Sequence, residues 1–451
     1  MKRLIFLLSV CVFALSISVA QDVRPVKPLP TERQLEWSKM EFYLFVHFGP
    51  NTYTDLEWGK GTEHEEVFNP SDLDCRQWCR IAKAAGAKGI IITAKHHDGF
   101  CLWPSKYSKH TVAQSKWKNG KGDVLQELRD ACNEYGLKMG VYLSPWDRNH
   151  PAYGTDLYNE VFVNMMKEIV EKYGPFFEFW WDGANGEGPN GKKQVYDFPR
   201  FEKLMRTIAP NTVVFSDIGP DIRWVGNEDG FAGKTNWDFL DTAGFTRGAG
   251  GPSQAVLNSG NENGKNWIPA ECDVSIRPGW FYHQQEDSLV KSPEKLFQLY
   301  LKSVGRGSSL LLNVPPDRTG QINEHDSIAL VGFKKLRDES FSTPVAEKDF
   351  SLSVAQRSYT ANIGSVKMIN CVLLREPIQL GQRVKSFSVE LLNKGKVVYQ
   401  MEGTTIGNKR ILTFPRTEAD GVRIVIKSAR APAVLNRFAA YLIDEKLLEK
   451  D

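Results

Sequence analysis

Between Phe42 and Pro316 the chain repeats one pattern: a short apolar run breaks off at a polar residue or glycine, and an amphipathic segment follows. The runs include Phe42-Tyr-Leu-Phe-Val-His47, Lys88-Gly-Ile-Ile-Ile-Thr-Ala-Lys-His96-His97-Asp98, Leu137-Lys-Met-Gly-Val-Tyr142-Leu-Ser144, Phe176-Phe-Glu-Phe-Trp-Trp-Asp182-Gly183, Thr212-Val-Val-Phe-Ser-Asp217 and Ser309-Leu-Leu-Leu-Asn313. A nearly continuous apolar run reads as a strand covered on both faces. Segments 75–85, 124–135, 157–173, 201–208 and 293–304 read as the intervening helices, with Gly136 placed where a helix C-terminus favours glycine. Strands alternating with helices predict a parallel sheet, and units repeated over about 300 residues predict an α/β fold of (β/α)8-like, TIM-type barrel architecture. We assign it residues 21–344. Segment 223–271 breaks the pattern, being glycine-rich without a clear helix, so the barrel is expected to be irregular there and to carry a long functional loop.

Beyond residue 345 the period shortens. Alternating runs at 384–392, 396–401, 410–414 and 422–426, separated by Gly, Asn and Pro, predict an all-β sandwich over residues 345–451. Few aromatics lie on it, which favours a packing domain over a sugar-binding module.

At the other end, Lys2 and Arg3 precede an apolar run that closes with Ser18-Val19-Ala20. This reads as a cleavable signal peptide over residues 1–20, too short to span a bilayer, and implies export to the periplasm or the medium. Cys11 lies inside the apolar run after Val10, a poor context for lipid attachment. Removing the leader takes two of the 57 Lys and Arg, leaving 55 against 54 acids. That balance argues against nucleic-acid binding, and no membrane insertion is expected. Six cysteines remain (Cys75, Cys79, Cys101, Cys132, Cys272, Cys371), too sparse for a disulfide scaffold and without zinc-site spacing.

In such a barrel, chemistry sits where the strands stop. His47, His96, His97, Tyr142, Trp146, Asp182, Asp217, Arg277 and Asn313 all fall at or just past predicted strand ends. Three of the eight histidines crowd this rim, but no second acid-rich cluster completes a ligand set, so neither metal nor cofactor is expected. Tryptophans 58, 103, 146, 180, 181, 224 and 280 concentrate near the same termini, and indole faces beside His, Asp and Arg suit a sugar. A sugar hydrolase needs two carboxyls. Asp182, ending the most aromatic strand, is the candidate nucleophile. Its acid/base partner is Glu228, in Arg223-Trp-Val-Gly-Asn-Glu228, or alternatively Glu271.

Val46-His47-Phe48-Gly49, Ala94-Lys-His96-His97-Asp98-Gly99-Phe100, Gly140-Val-Tyr142-Leu-Ser144, Phe179-Trp-Trp181-Asp182-Gly183 and Leu311-Leu-Asn313-Val-Pro-Pro together resemble glycoside hydrolase family 29, the α-L-fucosidases. The resemblance implies a retaining exo-hydrolase of terminal α-L-fucose, acting on fucosylated oligosaccharides or glycoconjugates. His47, His96 and His97 would hold the sugar hydroxyls, Tyr142 and Trp181 would shape the pocket, and Asp182 would form the covalent glycosyl-enzyme. Glu57-Trp58-Gly59 departs from the Glu-Trp-Tyr of the broad-specificity branch. The segments around Glu228 and from Glu271 to Trp280 resemble the branch preferring α-1,3/1,4-linked fucose on Lewis-type glycans. By that resemblance Glu228 is the acid/base, Trp58 and Glu271 join the substrate contacts, and Asp273, Arg277 and Trp280 meet the neighbouring galactose. A broad-specificity fucosidase and a fucosylated-glycan-binding protein without turnover are the alternative readings.

Overall fold

The structure is a computed structural model that describes residues 23–353 and 355–448. The leader expected over residues 1–20, with Cys11, lies outside them. Eight strands close into a barrel: β1 (Phe42–Val46), β2 (Gly89–Lys95), β3 (Lys138–Leu143), β4 (Glu178–Trp180), β5 (Val213–Ser216), β6 (Ile222–Trp224), β7 (Ala270–Ser275) and β8 (Ser309–Asn313). Each pairs parallel with its sequence neighbours, and β1 closes on β8. The expected irregular TIM-type barrel is therefore present.

The strand side chains alternate between two environments, as a two-residue period requires. Tyr43, Phe45, Ile91, Tyr142, Trp180, Phe215 and Leu311 fill the barrel interior. Leu44, Val46, Ile90, Ile92, Val141, Phe179, Trp181, Val214, Leu310 and Leu312 instead belong to the layer shared with the helices. The helix Val124–Tyr135 ends at Gly136 with φ 68°, in the left-handed conformation that glycine adopts at least cost.

The irregularity has a local cause. Residues 217–221 alone connect β5 to its parallel neighbour β6, where a crossover helix would ordinarily stand. The buried Asp221 carboxylate secures this tight connection: it accepts the Val214 N–H at 2.8 Å and pairs with Arg33 at 2.9 Å and Arg206 at 2.7 Å. From β6 the chain then leaves on a long excursion, residues 225–269, before re-entering at β7.

The all-β domain is one six-stranded antiparallel sheet: β9 (Ala346–Asp349), β10 (Ser358–Arg375), β11 (Val384–Asn393), β12 (Lys396–Gly403), β13 (Arg410–Ala429) and β14 (Arg437–Tyr441), in the order β9-β14-β10-β13-β11-β12. Register shifts within the β10–β13 pair bend the sheet around a single apolar core. Alternate residues of β10 face two ways: Val372 and Leu374 enter that core, whereas Cys371 and Leu373 pack into the barrel's outer layer.

The same domain braces the 225–269 excursion. The Gln382 side chain donates to Asn236 O at 2.9 Å and accepts from Asp238 N at 2.8 Å, Thr405 Oγ1 accepts from Asn236 N at 2.8 Å, and Arg410 donates to Lys234 O at 2.6 Å. Gln382 is fully buried, so Gln382→Leu would orphan a buried N–H and a buried C=O. We expect a stability loss of about 1–3 kcal/mol by denaturant titration, together with faster amide exchange over residues 234–240.

Candidate active site

The C-terminal ends of the strands converge on a blind cavity of about 150 Å³, lined by Phe45, His47, Glu57, Trp58, His96, His97, Tyr142, Trp180, Asp182, Ala184, Glu228, Asp273 and Trp280. This is small beside the roughly 300–1,000 Å³ of a drug-sized ligand site, and suits one ring.

Asp182 stands two residues past the inward-facing Trp180, so the strand's own period aims it into the cavity. Tyr142 donates its hydroxyl to Asp182 Oδ2 at 2.9 Å, and the Ala184 N–H donates to Oδ1 at 2.7 Å. His97 Nε2 lies 3.7 Å from Oδ2, while its Nδ1 pairs with Ser144 Oγ at 2.8 Å. His47 Nδ1 is held by Asn313 Oδ1 at 2.8 Å. Strand β2 ends at Lys95, so His96 and His97 escape the opposite orientations that a strand would impose, and their rings lie 4.1 Å apart. Burial lowers the His47 pKa to about 3 and that of His97 to about 4, and with its histidine neighbours it pushes His96 well below the usual imidazole range. All three are neutral near pH 7, each ring offering one donor and one acceptor to a hydroxyl.

Glu228 comes from the excursion after β6. It accepts from Trp280 Nε1 at 3.2 Å. Partial burial, the Asp182 charge and nearby Asp229 and Glu57 raise its pKa, although the indole bond opposes them. Asp273 is buried in the cavity wall with Oδ1 unpartnered, and burial followed by Glu228, Glu271 and Asp182 raises its pKa well above the usual range. His96 Nδ1 is likewise buried and unpartnered. Such orphaned atoms are uncommon in buried positions and are met here at a cavity wall, where a ligand can pair with them.

Three sequence assignments need correction. Trp181 faces away from the cavity onto Phe198 and Phe201, because it has the opposite parity to Asp182; Trp180 takes its place as a pocket wall. Arg277 does not line the cavity: its fully buried guanidinium pairs with Asp326 at 2.9 Å and Asp287 at 2.8 Å, which uses it to anchor the loop bearing Trp280. Glu271 is fully buried inside the barrel and is not itself part of the cavity lining, so it cannot act as the alternative acid/base.

Two further residues went unassigned in the sequence. Trp180 could have been found by its parity with Asp182. Glu57 could not, since its role depends on distant chain: it accepts from the backbone N–H groups of Trp280 at 2.7 Å and Phe281 at 3.2 Å, and pairs with His283 at 2.7 Å. It thereby ties the loop after β1 to the loop after β7. Its neighbour Trp58 is 58% exposed and meets His97 and Trp146 edge-on, with centroids 5.9 and 5.7 Å apart. Among the described residues all six cysteines are unpaired and buried, and no helix is long and apolar enough to cross a membrane.

Beneath the cavity, Glu271 has a different task. It accepts from Trp180 Nε1 at 2.8 Å and from the Tyr43 hydroxyl, while Glu178 beside it accepts from Trp37 Nε1 at 2.8 Å. Trp180 in turn stacks on Phe215 at 3.9 Å and on Tyr142 at 5.3 Å. Two buried, interacting carboxyls cannot both ionise cheaply, so the pair retains a proton.

A ring-sized cavity that sets carboxyls against indole and imidazole walls, at the strand ends of a (β/α) barrel, is the site of a glycoside hydrolase. Residues 27–333 match the family model described as alpha-L-fucosidase. The chain is 40% identical over 452 residues to alpha-L-fucosidase 1 of Arabidopsis thaliana, covering 93% of this chain and 88% of that one. It superposes with a TM-score of 0.86 on the crystal structure of a glycoside hydrolase 29 family member from an unknown rumen bacterium, at 43% identity over 96% of this chain and 79% of the other. A Ruminococcus gnavus family 29 fucosidase solved in complex with fucose matches with a TM-score of 0.85 at 29% identity, over 95% of this chain and 98% of that one. The chain belongs to the α-L-fucosidase family of glycoside hydrolases.

The carboxyl pair makes stability pH-dependent. Burial holds the Glu271 pKa above its ordinary 4.5, at about 7, so the folded state binds an extra proton between those values and loses that stabilisation as pH rises through about 7. Glu271→Gln keeps an acceptor for Trp180 but removes the ionisation. The expected outcome is a variant whose Tm relative to the parent is higher at pH 8 than at pH 5; equal differences at both would refute the raised Glu271 pKa.

Proposed function

We propose that the chain is a retaining exo-α-L-fucosidase that releases terminal α-1,3/1,4-linked fucose from branched, Lewis-type glycans outside the cytoplasm. The observation carrying the catalytic assignment is that Asp182 and Glu228, from the segments that follow β4 and β6, both line the one blind cavity. Asp182, aimed by Tyr142 and the Ala184 N–H, attacks the anomeric carbon as Glu228 protonates the departing glycosidic oxygen. Esterification removes the Asp182 charge that helps to hold the Glu228 pKa up, so Glu228 ionises more readily and is available as the base that activates water in the second step. The neutral histidines and the unpartnered atoms of His96 and Asp273 bind hydroxyls, and the blind end restricts the cavity to a terminal residue. The export reading rests on residues 1–20.

Azide separates the two carboxyl roles. Asp182→Ala should lose turnover by about 10³-fold or more, and azide should restore it with formation of the β-fucosyl azide; Glu228→Ala with azide should give the α-fucosyl azide on an activated aryl fucoside. Undiminished turnover in Asp182→Ala would remove the nucleophile assignment.

The linkage preference is supported by Glu57-Trp58-Gly59 and by the segments around Glu228 and Trp280. Fucose release from Lewis a or Lewis x trisaccharide should exceed that from 2-linked fucosyllactose by at least about tenfold in kcat/KM, a difference of roughly 1.4 kcal/mol. Comparable rates would overturn the preference.

A further inference from the structure

A cavity of about 240 Å³ lies where the barrel meets the all-β domain, and its walls carry Lys234, Lys302, Arg306 and Arg410. Among the described residues the one acid lining it is Glu402, which is exposed and accepts from Gln400 Nε2 at 3.2 Å. The cations come from separate segments: Lys234 from the excursion after β6, Lys302 from the end of helix Pro293–Lys302, Arg306 from the turn leading into β8, and Arg410 from the start of β13. That turn enters β8 at the opposite end from Asn313, and the cavity shares no lining residue with the ring-sized pocket.

Arg410 is the unusual member. Four arginines are buried among the described residues, and the other three are better partnered. Arg277 pairs with Asp326 and Asp287, Arg223 donates to three carbonyls and to Asn236 Oδ1, and Arg383 donates to three carbonyls. Arg410 is only 6% exposed, yet its one hydrogen bond runs from Nη1 to Lys234 O at 2.6 Å, and its buried Nε has no partner. A second positive charge stands against it. Arg306 and Arg410 face each other across an antiparallel bridge, where the Ile411 N–H donates to Gly305 O at 2.8 Å. Like charges directly opposite in such a pair repel, and a buried guanidinium short of partners is costly. Burial and Arg306 together lower the Arg410 pKa to about 10, which leaves it charged at neutral pH. A bound anion would offset both costs at once. Cations arriving from several segments suit a tetrahedral oxyanion better than a flat carboxylate, and an arginine fork can take two of its oxygens.

We propose that this cavity binds sulfate or phosphate, as the free ion or as a group carried on a glycan, and that the bound anion ties Arg410 of the all-β domain to the barrel. It is a second site, independent of the fucosidase reading.

The test is a calorimetric titration of the full chain with sodium sulfate, sodium phosphate and galactose 6-sulfate. Ionic strength is held constant with chloride, so that general screening does not count. The parent should bind one equivalent with a Kd of about 1 mM or tighter. Arg410→Gln should weaken binding by about tenfold or more, and Lys234→Ala by about threefold. The Lys234 side chain is exposed, so that variant decides the matter alone if Arg410→Gln does not fold. Galactose 6-sulfate held at least about tenfold more tightly than sulfate would identify the group as one carried on a glycan, and equal affinities would identify the free ion. Absence of saturable binding by the parent to all three probes, or affinities unchanged in every folded variant, would overturn the site.

Discussion

The two-residue period of the barrel strands is the constraint on which this active site depends. A side chain two positions past an inward-facing core residue must itself face inward, where the barrel has ended and the cavity begins. Thus Phe45 leads to His47 and Trp180 to Asp182. The hydrophobic core and the catalytic rim are consecutive layers of one set of columns. A register slip of one residue would send every one of these groups into the helix layer.

This layering makes the buried carboxyl pair intelligible. Glu178 is the inward residue preceding Trp180, and Glu271 is the one preceding Asp273. An apolar residue at Glu271 would leave the Trp180 indole N–H without its acceptor. A charged pair would cost more than it contributes, whereas a pair sharing a proton accepts from Trp37, Tyr43 and Trp180 and fixes the indole on which Tyr142 stacks. The orientation of the hydroxyl that holds Asp182 is thus supported from below, within the barrel.

Much of this was legible beforehand. The helix Val124–Tyr135 has the bounds that its pattern predicted, because apolar period and capping agree there. What escaped was non-local. Strand β6 has three residues and no period to detect; it exists because Asp221 and two arginines secure the turn before it. Strand β13 read as two short runs, since Pro415, Asp420 and Gly421 signal turns, yet pairing with β10 carries it through. The Trp181 error was of another kind: alternation from Asp182 already pointed to Trp180. Glu57 and Glu271 have roles set entirely by partners far away in the chain, which no local pattern encodes.

The electrostatics of the cavity favour one distribution of protons. Asp182, Glu228 and Asp273 line the same small space, and the Asp182 charge makes ionisation of Glu228 and Asp273 harder. Positive histidines would relieve that repulsion, but burial keeps all three neutral, so the charge must be limited by protons on the carboxyls themselves. Asp182 has the donors that stabilise an anion, from Tyr142 and the Ala184 N–H. Asp273 Oδ1 has no partner and Glu228 has only the indole. The raised pKa values of Glu228 and Asp273 keep protons on these two carboxyls, and on Glu228 that is the state a general acid requires before the bond is cleaved.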